Sequence, residues 1–252
     1  MTDRDFNIEL AGEVFRIKAI YDCAFEFCRD YLTEKPESAT ITISQSDIDF
    51  ERETGNKNDL DIPKDYPDSY LELLAIYRKV ATVMPERDVL LIHGSAFSFD
   101  GNGILLLADS GVGKSTHASL WQKTFGGRVV MINDDKPLIK AGKDGAYIYG
   151  TPWSGKNGIN TNTKAPLKVM CEIVRSETGR TYVEDTDDSE RWKILTQQTF
   201  KGASAGSAAK TLELTDRLLE NVPVKRVYCA LNDVSAVEAY EGLKGLLDQS
   251  ER

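Results

Sequence analysis

Apolar and polar positions alternate from the start of the chain. "FNIELAGEVFRIKAI" holds two alternating runs around an Ala-Gly pair, which predicts two short strands joined by a turn. "YDCAFEFCRDYL" places Ala24, Phe27, Cys28 and Leu32 on one helical face, and "ATITISQSDIDFE" alternates as a strand. The polar stretch "RETGNKNDLDIPKDYPD" has turn formers and no periodicity, so a loop is expected there. Helical spacing returns in "SYLELLAIYRKVATVMPE", with Leu71, Leu74, Tyr77, Val80 and Ala81 on the apolar side and Pro85 closing the helix.

Beyond that helix the pattern becomes denser. "DVLLIHGSAFSFDG" and "GILLLAD" are apolar runs separated by Asp100, Gly101, Asn102 and Gly103, and are expected to be adjacent buried strands, with His93 on the first. "KSTHASLWQKTF" follows with helical spacing, and "RVVMINDDKPLIK" reads as a strand with a polar end. "GAYIYGTPWSGKNGINTNTKAPL" begins as a strand and continues as a long loop, a length that in a compact domain often serves function. "LKVMCEIVRS" reads as a strand, "DSERWKILTQQTF" and "AKTLELTDRLLENV" as helices. The closing "VPVKRVYCALNDVSAVEAYEGLKGLLD" reads as a strand and an amphipathic helix. The succession predicts an α/β fold, with an α+β region over 1–85 packed on a core over 86–252.

Composition narrows the function classes. The net charge is -9, from 40 acidic against 31 basic residues with no basic cluster, so neither nucleic acid nor an anionic membrane is an expected partner. No apolar run approaches the ~20 residues of a membrane span, and "MTDRDFNIEL" lacks the apolar core of a signal peptide; a cytoplasmic location is the expectation. Cys23, Cys28, Cys171 and Cys229 show no Cys-x-x-Cys spacing and read as buried thiols.

The strongest chemical signal is Ala108-Asp109-Ser110-Gly111-Val112-Gly113-Lys114-Ser115, between a predicted strand and a predicted helix. Gly111 and Gly113 let backbone N–H groups turn inward around phosphate oxygens, and the helix N-terminus adds its positive end. The nucleotide is therefore expected along Asp109 to Thr116. Lys114 is expected to reach the β- and γ-phosphates, and the Ser115 hydroxyl to ligate Mg²⁺. Such a site needs a nearby acid, and Asp134 and Asp135 end an apolar run: one can orient the metal while the other accepts a proton from an attacking hydroxyl. His93, on the strand expected beside the loop strand, reads either as a core histidine or as a catalytic candidate. Lys156, in "GTPWSGK", is a candidate for contact with substrate or transferring phosphate. His117, one turn into the helix, reads as a packing or surface residue.

Together, "HGSAF", "LLLADSGVGKS" and "INDD" resemble the catalytic core of HPr kinase/phosphorylase, which shares a superfamily with ATP-type phosphoenolpyruvate carboxykinase. The match covers roughly residues 88 to 140. "GTPWSGKNGINTNTKAPLKVMCEIVRS" and the C-terminal stretch are similar to small HPr-kinase-like proteins found beside peptide-modifying enzymes. The resemblance implies a P-loop core with a mixed central sheet flanked by helices. It also implies Asp135 as the base toward an acceptor hydroxyl, Asp134 and Ser115 near the metal, and His93 tuning the acid pair. It further hints at a homo-oligomer. Thr116 stands where the HPr enzymes carry glutamate, which argues against HPr itself as acceptor.

These readings converge on a Mg²⁺- and ATP-dependent kinase acting on a hydroxyl of a small molecule, peptide or protein, with GTP the other candidate donor. A nucleotide-dependent switch or NTPase is the alternative, although no Asn-Lys-x-Asp guanine-reading motif occurs. Carboxykinase chemistry on an oxaloacetate-type acid is a third, against the short length of the chain.

Overall fold

The N-terminal alternation forms a hairpin, β1 (Asp5–Leu10) and β2 (Glu13–Lys18), paired antiparallel. Ala11 and Gly12 turn it with φ of 53° and 83°, the left-handed pair that matches strand twist. This computed structural model describes residues 3–58, 66–109, 111–202 and 205–248. After α1 (Cys23–Phe27), the strand β3 (Ala39–Thr42) joins β2 in parallel. The strand expected to continue through residue 51 stops there. Asp47 accepts hydrogen bonds from the Ser44 N–H (2.9 Å) and hydroxyl (2.7 Å), a helix-starting arrangement, and α2 (Gln45–Asn58) begins beside it. Residues 52–58, expected as loop, are thus helical, and residues 59–65 of that expected loop lie outside the described residues.

The helix α3 (Asp68–Val83) forms as the spacing predicts. Its buried face carries Leu71, Ala75, Ile76, Val80 and Ala81, and with Phe6, Ile8, Phe15, Ile17 and Ile48 it encloses one apolar cluster. That cluster extends to Val89, Leu91, Leu138 and Trp153, so the N-terminal elements share a core with the large sheet.

The remaining elements are β4 (Val89–Leu91), β5 (Ser95–Phe99), β6 (Asn102–Leu107), α4 (Lys114–Phe125), β7 (Val129–Asn133), β8 (Leu138–Ala141), β9 (Ala146–Tyr149), β10 (Lys164–Arg175), β11 (Tyr182–Asp185), α5 (Asp188–Gln198), α6 (Ala205–Asn221), β12 (Val224–Cys229) and α7 (Ser235–Leu247). The large sheet runs β4-β8-β9-β10-β6-β5-β7, with β12 beside β10 and β11 beside β12. It is mixed: β10 lies parallel to both β6 and β12, and the other pairs are antiparallel.

Helices cover this sheet through two apolar clusters. Leu105 and Leu107 of β6 join Ile194, Leu195, Leu214 and Leu218 of α5 and α6, while Ile104 and Leu106 join Ala118, Trp121, Ala239 and Leu243 of α4 and α7. Burial on both faces is why "GILLL" reads as an unbroken apolar run.

Three expectations about strands need correction. The run around His93 is two strands, β4 beside β8 and β5 beside β6, so His93 lies between strands. The break reflects close packing at Gly94, where a Cβ would stand 2.7 Å from the Leu106 carbonyl oxygen. The run around Asp134 and Asp135 is likewise two strands, β7 and β8. Finally, β11 was not foreseen; four residues with one alternation carry too little pattern. Among the described residues no helix is long and apolar enough to cross a membrane.

Candidate functional site

The parallel strands β6, β10 and β12 end on the same side, and the loop after β6 leads into α4 there. Gly111 and Gly113 both take left-handed φ values, 79° and 127°, conformations that exclude most side chains. Among the described residues no side chain caps the first amides of α4 and no acid sits in its first turn, so these donors can serve an outside acceptor. Of the residues expected to hold a nucleotide, Asp109, Gly111, Val112, Gly113, Lys114, Ser115 and Thr116 occupy this loop and first helical turn; Ser110 lies outside the described residues.

Lys114 is buried, and its ammonium donates to the carbonyls of Ala108 (2.6 Å) and Asp109 (3.3 Å). Burial lowers its pKa, opposed by the nearby charges of Asp135 and Asp109. An ammonium group has three N–H donors, and here two lie on the loop's own carbonyls. Ser115 is half-buried and Thr116 exposed.

The acids sit just past β7. Asn133, fully buried, organises them: its amide nitrogen donates to the Thr151 carbonyl (3.0 Å) and the Trp153 carbonyl (3.0 Å). Its amide oxygen accepts from the N–H groups of Asp135 (2.9 Å) and Lys136 (2.6 Å). One side chain thus fixes both the acid turn and the segment that carries Trp153.

The two acids have different surroundings. Asp134 is buried and accepts the Gly155 N–H at 2.6 Å. Burial and the neighbouring Asp135 raise its pKa, only partly offset by that hydrogen bond. A buried carboxylate that backbone amides only partly compensate is the setting that a divalent cation relieves, so Asp134 fits a metal-ligand role. Among the described residues no group of three His, Cys, Asp or Glu side chains forms a ready metal cluster. The side chains that could hold Mg²⁺ are Asp134 and Ser115, and sparse protein ligation completed by phosphate oxygens is one this ion accepts.

Asp135 pairs with His93 Nε2 at 3.2 Å and with Lys136 Nζ at 2.7 Å, one on each carboxylate oxygen. Burial pushes its pKa up, but the His93 and Lys136 contacts more than offset this and hold it well below the ordinary carboxylate range. His93 and Asp135 are thus neighbours in the fold, and the Gly94 N–H also bonds the Asp135 carbonyl at 3.0 Å. Tyr77 lies close enough for the Asp135 charge to add to the rise that burial causes in its pKa.

Lys156 is exposed, at the tip of a turn closed by the Gly158 N–H on the Gly155 carbonyl (2.9 Å). Gly155 ties the base of that turn to Asp134, while Lys156 itself extends outward. Trp153 anchors the segment: its indole donates to the Leu73 carbonyl at 2.9 Å and packs against Tyr77 at 5.6 Å. Gly150 is required where it stands, because a Cβ would lie 2.0 Å from the Thr161 carbonyl oxygen.

His117 is buried as a packing residue. Trp121 Nε1–H donates to its Nε2 at 3.1 Å, so the neutral ring carries its proton on Nδ1, 3.0 Å from Cys229 Sγ. Burial lowers the His117 pKa to about 4.

Sequence reasoning missed Asn133, Lys136, Gln198 and Arg175. Asn133 and Lys136 flank the acids in "INDDK", but nothing in a local pattern reveals what a buried amide grips across the chain. Gln198 accepts the His93 N–H on its carbonyl (2.8 Å) and donates to Asp109 at 3.4 Å, linking the two halves of the site from the end of α5. Arg175, ending β10, donates to the carbonyls of Gly111 (3.2 Å) and Val112 (3.4 Å).

No protein-family model matches the chain, and no curated protein does. Among solved structures the chain is similar to the Hpr(Ser) kinase/phosphatase from Coxiella burnetii, with 8% identity, 60% of this chain and 94% of that chain covered, and a TM-score of 0.35. A likeness of that size is distant and decides neither activity nor ligand.

Proposed function

We propose that this chain is a Mg²⁺- and ATP-dependent phosphotransferase that delivers the γ-phosphoryl group to a hydroxyl on a small molecule, peptide or protein. One observation carries the reading: a glycine-turned loop with a buried lysine is tied through Gln198 to His93, which together with Lys136 holds the Asp135 carboxylate.

The loop amides and Lys114 bind the β- and γ-phosphates and stabilise the charge that shifts toward the leaving oxygen during transfer. Mg²⁺, if held by the Ser115 hydroxyl and the Asp134 carboxylate, would supply further charge compensation on the phosphates. Asp135, ionised throughout the neutral range, accepts a hydrogen bond from the acceptor hydroxyl. Each of its paired oxygens keeps a lone pair for that purpose. As the oxygen–phosphorus bond forms, the hydroxyl proton passes to Asp135. Its low basicity suits it to orienting the hydroxyl and taking the proton late, which a loose phosphoryl-transfer transition state permits. His93 and Lys136 fix the orientation of the carboxylate.

The test is Asp135→Asn, assayed for ADP formation from Mg·ATP with water alone and with a panel of serine- and threonine-containing peptides and small alcohols. Turnover should fall about 100-fold or more, while Mg·ATP affinity stays within about threefold of wild type. Undiminished turnover in this variant would remove Asp135 from the chemistry and favour a nucleotide switch.

A further inference from the structure

We infer that Arg175 is a positioning residue for the phosphate loop, holding the loop's amides inward by gripping its carbonyls from outside. The inference rests on the phosphate-binding reading of residues 108–115 and extends it to a residue outside that motif.

Strand register brings Arg175 to the loop. β10 runs parallel to β6 with Glu172 opposite Leu107, so a residue three further along lies level with the chain leaving β6. On its other side β10 runs parallel to β12, with Arg175 opposite Cys229. The guanidinium extends to the loop and donates through Nη2 to the Gly111 carbonyl at 3.2 Å and through Nε to the Val112 carbonyl at 3.4 Å.

Peptide geometry turns this contact into a statement about the amides. In a trans peptide the carbonyl of one residue and the N–H of the next point in opposite directions across a rigid plane, and no peptide among the described residues is cis. A fork that holds the Gly111 and Val112 carbonyls on one side therefore directs the N–H groups of Val112 and Gly113 to the other. Among the described residues the Val112 N–H has a single, long internal contact, 3.4 Å to the Asp109 carbonyl. Inward amides are what a phosphate cradle consists of.

A second contact acts on the same loop from the neighbouring strand end. Leu231, two residues past β12, has φ of 54°, a conformation costly for a leucine. A Cβ on Gly113 would stand 3.1 Å from its Cδ1, so Leu231 backs the loop on the glycine whose φ is most unusual. The loop is thus contacted by an arginine fork from the end of β10 and by Leu231 just past the end of β12.

Arg175 is exposed, and its role is separable from folding. The planar fork matters here as well as the charge: lysine keeps the charge but cannot hold two neighbouring carbonyls in one plane. The experiment titrates magnesium pyrophosphate and Mg·ATP into full-length wild type, Arg175→Ala, Arg175→Lys and Lys114→Ala, alongside thermal unfolding without ligand. The expected result is a dissociation constant about tenfold higher in both Arg175 variants, with unliganded melting unchanged. Full recovery by Arg175→Lys would show that charge alone matters and overturn the positioning role, as would wild-type affinity in Arg175→Ala. Binding that is lost in Lys114→Ala but intact in Arg175→Ala refutes this inference alone. Absence of binding in wild type refutes the underlying phosphate-site reading.

Discussion

Asn133→Ala tests how the acid turn is built. The substitution removes the donor to the Thr151 and Trp153 carbonyls and the acceptor for the Asp135 and Lys136 amides, at a fully buried position. The Thr151 hydroxyl has one proton, between the Lys136 carbonyl (2.8 Å) and the Trp153 carbonyl (3.0 Å), so the Trp153 carbonyl keeps a shared donor. The Thr151 carbonyl and the two amides are left, and each unsatisfied buried group costs about 1–3 kcal/mol. Partial access of water to the Asp135 and Lys136 amides reduces the sum, to a loss of about 3–5 kcal/mol. Urea unfolding, monitored by both far-UV circular dichroism and tryptophan fluorescence, should show the midpoint lowered by more than about 1 M. Asn133→Asp should lose at least as much, because one carboxylate oxygen would face the Thr151 and Trp153 carbonyls beside two acids. A loss below about 1 kcal/mol for Asn133→Ala would refute the claim that this side chain organises the site.

Two more perturbations probe burial and close packing. Burial holds His117 at about 4 instead of 6.5, so the unfolded chain takes up a proton that the native state refuses. This contribution is complete above pH ~6.5 and lost as pH falls toward ~4, by up to about 3 kcal/mol; stability measured against pH should be flatter by that amount in His117→Gln, and identical slopes would contradict it. At Gly150 an added Cβ meets the Thr161 carbonyl oxygen at 2.0 Å, whereas at Gly127 nothing lies within 4 Å. Gly150→Ala should therefore lose more than about 3 kcal/mol or fail to fold, and Gly127→Ala should melt within a few degrees of wild type. Equal behaviour of the two would refute the close approach.

The parts of the fold written in local pattern were legible. Alternation and helical spacing located β1, β2, α3, α4 and the C-terminal helices, because each buries one consistent face. What failed was local pattern overruled by a short signal: Ser44 and Asp47 start a helix inside an alternating run, and Gly94 divides an apolar run by close packing against Leu106. The site was legible to the same depth. The phosphate-loop motif and paired aspartates are local, and the structure sets His93 Nε2 3.2 Å from Asp135. Gln198 and Arg175 reach the site by strand register and helix placement, which sequence spacing does not encode. Asn133 was adjacent to the identified acids, yet its importance lies in partners 18 and 20 residues away along the chain.

The central claim is that residues 108–115 form a working phosphate site governed by Lys114. Isothermal titration of Mg·ATP, with GTP, ADP and pyrophosphate in parallel, into wild type and Lys114→Ala tests it directly. The account predicts saturable one-to-one binding by wild type that weakens at least about 100-fold in Lys114→Ala; equal binding by the two proteins, or none by wild type, would contradict it.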